Sequence, residues 1–230
     1  MEPTAWPNIP GRLFNYWRED KRSKSRTLEI SKYRDIELSK SHILKSTLPS
    51  SIRFYMNRSL TLITGGQRSG KSQYAEQLAL SLSPSPVYLA TAHIWDEEFR
   101  QRVERHQERR GPEWTNIEEE RWLSRHDVSG RVVLVDCLTL WATNFFFADG
   151  AEADVDLALE ALRDEFDRFT AQDATFIVVT NEIGSGGTPV NDVQRRFTDL
   201  LGWLNQYVAQ KADEVVLMVS GIPVTIKKSH

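Results

Sequence analysis

The sequence predicts an α/β fold of three layers, with helices on both faces of a mostly parallel, doubly wound sheet. Three observations predict it. Short apolar runs of strand length alternate along the chain with segments of helical periodicity. Three of those runs, Arg131–Asp136 (RVVLVD), Thr175–Thr180 (TFIVVT) and Glu214–Ser220 (EVVLMVS), are apolar almost throughout, as strands buried on both faces must be. A glycine-rich loop stands between a strand and an amphipathic helix in Leu60–Ser72 (LTLITGGQRSGKS).

Leu60, Thr61, Leu62, Ile63 and Thr64 read as the first strand, and the chain is organised around the loop at its end. Gly65, the four residues Gly66, Gln67, Arg68 and Ser69, then Gly70, Lys71 and Ser72 match the phosphate-binding pattern G-x-x-x-x-G-K-[ST]. At ordinary residue usage a chain of this length matches by chance about once in a hundred. The glycines let backbone N–H groups approach phosphate oxygens. Lys71 is placed to reach the β- and γ-phosphates, and the Ser72 hydroxyl to ligate Mg²⁺. The helix from Gly70 to about Leu82 aims its positive end at the anion. The expected fold is therefore that of P-loop NTPases, RecA-like in type.

Ser83–Pro86 is a turn and Val87–Thr91 (VYLAT) a second strand. Asp96 to Arg110 reads as a highly charged helix closed by Gly111-Pro112, with only Phe99 and Val103 apolar. Glu118–Leu123 reads as a short helix or turn. After the strand ending at Asp136, CLTLWATNFFF forms a helix whose aromatic residues suit core or subunit interface better than a ligand platform. A helix over Asp154–Ala171 precedes the next strand, and Asn181–Pro189 is a loop whose Gly184–Gly187 segment suits a lid. Val190–Lys211 is a long helix with apolar Val193, Phe197, Leu200, Leu201, Leu204 and Val208 on one face. Gly221-Ile222-Pro223 is expected to end the last full strand, with Val224–Lys227 as a short edge strand.

Composition narrows the class. The chain has 230 residues, 40% hydrophobic and 27% charged, enough for one α/β domain and an appendage. No apolar run approaches the ~18 residues of a membrane span, and the N-terminus lacks a secretory signal. The single cysteine, Cys137, excludes an internal disulfide framework and suits a reducing compartment, so a soluble cytoplasmic protein is expected. Residues 1–55 carry 11 Lys or Arg against 6 Asp or Glu, and residues 56–230 carry a net −8. That acidic body argues against nucleic-acid binding. Residues 1–55 read as a basic, disordered extension, or as an over-extended start with Met56 as the true first residue; a partner-binding arm is the third reading. Residues 56–230 are expected to form the P-loop nucleotide-binding catalytic domain.

Asp136 ends an apolar strand where P-loop NTPases hold Mg²⁺ with an acid; its plain alternative is a helix cap. In the charged helix, His106 has Arg102 one turn before it and Arg109 and Arg110 one turn after. Those cations suit a triphosphate and hold the imidazole neutral, hence nucleophilic toward an α-phosphorus. A solvated helix face is the commoner meaning of such a run. His93 and Asn181-Glu182 stand at strand ends on the ligand side; His126 and His230 read as structural or exposed, and His42 lies in the extension.

Six segments in this order, GGQRSGKS, YLATAHIWDEE, RVERHQERRGPEW, VVLVDCLTLWATN, VVTNEIG and ADEVVLMVSGIPVTIK, carry a more specific signal. Together they resemble the bifunctional adenosylcobinamide kinase / adenosylcobinamide-phosphate guanylyltransferase family of cobalamin assembly, over about Leu60 to Lys227. The resemblance implies that the aminopropanol hydroxyl of adenosylcobinamide is phosphorylated by a nucleoside triphosphate, ATP or GTP. GMP is then transferred from GTP, giving adenosyl-GDP-cobinamide and pyrophosphate. It implies His106 as the guanylylated residue. It implies nucleotide contacts at Gly65–Ser72, at Ala90, Thr91 and Ala92, at Gln107, Glu108, Arg109 and Arg110, and at Glu118 and Asp136. It also implies a homotrimer with sites near subunit interfaces. The chain departs from the pattern in small ways. Some members carry two adjacent histidines where Arg105-His106 stands, others have Glu at Asp136, and residues 1–55 have no counterpart.

Two rivals share the phosphate loop: a small-molecule kinase with no covalent step, and a nucleotide-binding regulator without turnover. RVERHQERRG and its placement favour the bifunctional enzyme.

Overall fold

The structure, a computed structural model, describes residues 58–93, 110–148 and 153–229. The N-terminal extension and all of the charged helix except Arg110 lie outside the described residues.

Seven strands form one sheet: β1 (Ser59–Gly65), β2 (Val87–Ala90), β3 (Thr115–Glu118), β4 (Val132–Asp136), β5 (Thr175–Val179), β6 (Glu214–Val219) and β7 (Ile222–Lys228). Their order is β3-β2-β4-β5-β1-β6-β7, and every pairing is parallel except β6 with β7. Four helices are described: α1 (Lys71–Leu82), α2 (Leu138–Phe146), α3 (Val155–Thr170) and α4 (Asp192–Lys211). Asp154 caps α3 by accepting from the N–H groups of Asp156 and Leu157, and Asn191 caps α4 by accepting from Gln194 N–H.

The central strands are apolar on both sides because both sides are covered. On one face Leu62, Val133, Val135, Phe176 and Val178 meet α2, α3 and α4; on the other Ile63, Leu134, Ile177 and Val216 meet α1 and Trp114. Trp141 and Phe146 of α2 are fully buried, so these two rings of WATNFFF are core. No described helix is long and apolar enough to cross a membrane.

One strand lies outside the expectations, and two boundaries differ from them. Thr115–Glu118 is a strand, and the short helix or turn expected over Glu118–Leu123 is a bend at Glu120-Arg121 that leads into a 3-10 helix at Leu123–Arg125. The segment TNIE holds a single apolar residue, so no periodicity marks it. It is an edge strand made by pairing with β2, Val87 opposite Thr115 through Ala90 opposite Glu118. The expected break after the last full strand and the edge strand beyond it are both present, with the break at Ser220-Gly221 and the edge strand beginning two residues before Val224. Ser220 and Gly221 have φ of 52° and 84°, the two positive values of a tight type I′ hairpin turn, and β7 runs from Ile222. Pro223 is tolerated because β7 is an edge.

Candidate functional site

β1 delivers the phosphate loop to the carboxyl-end rim of the sheet, between the ends of β5 and β6. The loop is held backbone to backbone. Gly65 (φ 148°) lies so close to β6 that an added Cβ would stand 2.6 Å from the Met218 carbonyl oxygen. At Gly70 (φ 94°) an added Cβ would stand 3.3 Å from the Gly221 Cα, and Gly221 N–H donates to the Ser69 carbonyl at 3.0 Å. The β6–β7 hairpin is thus a wall of the loop.

Inside it, Lys71 is 7% exposed and its Nζ donates to the Gly66 carbonyl at 2.6 Å. Burial lowers its pKa, opposed by the surrounding acids, Asp136 and Glu182 among them. Arg68 to Gln73 line one side of a cavity of about 360 Å³; Asp136, Cys137, Val179 and Asn181 line the other. That volume is within the usual range for small-molecule sites. Asp136 ends β4, two strand spacings or about 10 Å from β1, with the end of β5 between. There Asn181 is fixed by Thr139, whose Oγ1 accepts from its N–H and its Nδ2, and Thr64 donates to Glu182 Oε1 at 2.5 Å.

Of the residues expected at the site, Arg68, Ser69, Gly70, Lys71, Ser72 and Asp136 are brought to this cavity. Ala90 lies directly beside Asp136 in register. The Thr91 side chain is fully buried and spent on Cys137: its hydroxyl donates to the Cys137 carbonyl at 2.8 Å and accepts the Cys137 N–H at 2.9 Å. Glu118 is exposed at the end of β3. His93 pairs with Glu120 at 2.7 Å, and His126 with Glu119 at 3.4 Å. His106, Gln107, Glu108 and Arg109 lie outside the described residues. Arg110 turns to the sheet: its guanidinium carbon lies 3.6 Å from the Tyr88 ring centroid, and its Nε donates to Asn116 Oδ1.

Sequence reasoning passed over Tyr88. Its hydroxyl donates to Asp136 Oδ2 at 2.9 Å, and burial, then the Asp136 charge, raises its pKa and keeps it a donor. Only the register of β2 on β4 reveals that pair. Cys137, too, lines the cavity wall; burial pushes its thiol up to about 12.

Ser72 and Asp136 offer hydroxyl and carboxylate oxygens, the donors Mg²⁺ prefers. Asp136 Oδ1 accepts no hydrogen bond among the described residues, so it is free for a ligand. No cluster of three or more His, Cys, Asp or Glu among the described residues could cage a metal. A cation held by Ser72 and Asp136 would complete its ligation with phosphate and water oxygens, which Mg²⁺ accepts.

Residues 61–226 match the family model described as "Cobinamide kinase / cobinamide phosphate guanyltransferase". The chain is 38% identical over 170 residues to the bifunctional adenosylcobalamin biosynthesis protein CobP of Pseudomonas aeruginosa, covering 72% of this chain and 96% of that protein. It is 39% identical over 183 residues to the bifunctional adenosylcobalamin biosynthesis protein CobU of Escherichia coli, covering 73% and 99%. Among solved structures, the flagellar accessory protein FlaH of Methanocaldococcus jannaschii overlaps 75% of this chain and 80% of its own, with a TM-score of 0.40 and 16% identity.

Proposed function

The chain belongs to the cobinamide kinase / cobinamide phosphate guanyltransferase family, and on that premise we propose that it carries out both reactions in turn on adenosylcobinamide. The observation that carries this reading is the single cavity in which the phosphate loop, Lys71 and Ser72 face Asp136.

In the first reaction the substrate hydroxyl oxygen attacks the γ-phosphorus of the triphosphate, the nucleoside diphosphate leaves, and the hydroxyl proton is lost. The loop amides hold the phosphates and Lys71 turns from the Gly66 carbonyl to the β/γ oxygens. Ser72 and Asp136 would hold Mg²⁺, which would supply positive charge against the phosphate oxygens. In the second reaction a ring nitrogen of His106 attacks the α-phosphorus of GTP and pyrophosphate leaves. A phosphate oxygen of adenosylcobinamide phosphate then attacks the guanylyl phosphorus, the phosphorus–nitrogen bond breaks, and the imidazole is restored. His106 stands four positions before Arg110 in the sequence, so covalent reach keeps its Cα within about 14 Å of the Arg110 Cα. That reach supports one nucleotide cavity serving both steps.

His106→Ala should abolish transfer of label from α-³²P-GTP to the protein and leave kinase turnover intact. Label retained by the variant overturns the assignment; wild-type protein that never retains GMP favours the kinase without a covalent step. We read the chain as a cytoplasmic homotrimer. The exposed apolar side chains of Ile222, Val224 and Ile226 on β7 support a subunit contact. A sedimentation mass near the 26.5 kDa of one chain would overturn it.

A further inference from the structure

Ala90, directly opposite Asp136 in the β2–β4 register, has only a methyl group and cannot hydrogen-bond the carboxylate. Tyr88 lies two residues earlier on the same face of β2, and a diagonal neighbour at that spacing is within reach of a long aromatic side chain. Its hydroxyl makes up the distance, 2.9 Å from Asp136 Oδ2. A phenylalanine there would stop short. The ring is clamped on two sides: the Arg110 guanidinium lies over its face at 3.6 Å, and Trp114 meets it edge-on with centroids 5.9 Å apart. A cation over the ring also draws density from the phenol and strengthens it as a donor.

We propose that Tyr88 is a positioning residue that ties down Asp136 Oδ2 so that Oδ1 faces the cation in the phosphate cavity, with Arg110 locking Tyr88 in place. The inference rests on the reading of Asp136 as the metal acid. An untethered carboxylate rotates about its own bond and meets the cation in several poses; a tethered one meets it in one. Arg110, expected among the phosphate-facing cations, acts through this ring instead. It is also where the chain returns from the segment bearing His106, so one stack joins that segment's root to the metal acid.

The test is GTP affinity of the full chain by calorimetry, in EDTA and at rising Mg²⁺, for wild type, Tyr88→Phe and Asp136→Asn. Tyr88→Phe keeps the packed ring, so affinity in EDTA should hold while the Mg²⁺ half-point rises about tenfold, the lower end for loss of a residue supporting a metal ligand. Arg110→Met leaves the hydroxyl and frees the ring; a smaller rise in the same direction is expected, and it serves should Tyr88→Phe be unstable. If Asp136→Asn moves the half-point and Tyr88→Phe does not, the inference is overturned and the metal reading stands. If Tyr88→Phe weakens GTP equally with and without Mg²⁺, Tyr88 merely shapes the cavity and the inference is overturned. If Asp136→Asn leaves the half-point unchanged, the metal reading itself fails, and the inference with it.

Discussion

Gly65 and Gly66 stand side by side at the head of the phosphate loop, yet replacing each with alanine should have different consequences. An added Cβ at Gly65 would stand 2.6 Å from the Met218 carbonyl oxygen and 2.9 Å from Ser69 Oγ. The serine can turn aside; the Met218 carbonyl is fixed in β6, paired with β1 in register. The φ of 148° adds strain for any side chain. A disfavoured backbone conformation costs about 1–3 kcal/mol and overpacking about as much again. Gly65→Ala should therefore lose about 2–6 kcal/mol, a large share of the ~5–15 kcal/mol that holds a domain folded. At Gly66 no heavy atom lies within 4 Å of an added Cβ. Gly66→Ala should stay within about 1 kcal/mol of wild type in either direction, since lost clearance is nil and the unfolded chain is stiffened. Urea unfolding followed by tryptophan fluorescence, with 7 tryptophans as probes, measures both. The reasoning is refuted if the two variants are equally destabilised, or if Gly65→Ala falls within about 1 kcal/mol of wild type.

The Cys137 thiol has its pKa raised from 9.0 to about 12, first by burial and then by the Asp136 charge. Above pH ~9 the unfolded chain releases a proton that the folded chain keeps, so this contribution is whole below pH ~9 and shrinks by about 1.4 kcal/mol per pH unit up to pH ~12. Between about pH 8 and about pH 10.5, wild type should lose roughly 2 kcal/mol more stability than Cys137→Ala in urea titrations; parallel profiles would sink the claim. Lys71→Met keeps the length of a side chain that is 7% exposed and removes its charge, so the fold should change by less than about 2 kcal/mol. Kinase kcat should fall about a hundredfold or more, because the phosphates lose a preorganised cation. A kcat within about tenfold of wild type would count against the clamp.

Much of the fold was legible because local chemistry and global role agree. Strands covered on both faces must be apolar throughout, so β4, β5 and β6 announce themselves, and the long helix α4 shows its buried face at Leu200, Leu201, Leu204 and Val208. The phosphate loop was legible because its function is carried by backbone and by residues adjacent in sequence. Of the two edge strands, β3 was not legible, because it has one apolar residue; β7 was legible over Val224–Lys227, and its proline hid only the first residues. What makes each a strand is a neighbour, β2 or β6, supplied only by the assembled sheet.

The same division runs through the candidate site. Sequence alone determined which residues could hold phosphate, since spacing along one turn fixes Gly70, Lys71 and Ser72 together. Tertiary structure alone decided that Asp136 shares their cavity across β5, that Thr91 is spent on Cys137, that Arg110 covers Tyr88, and that Tyr88 grips Asp136. Each of these depends on the register between strands far apart in the chain, and a shift of one residue would turn every side chain to the opposite face. Local sequence carries no record of that register; the packing of two apolar faces selects it.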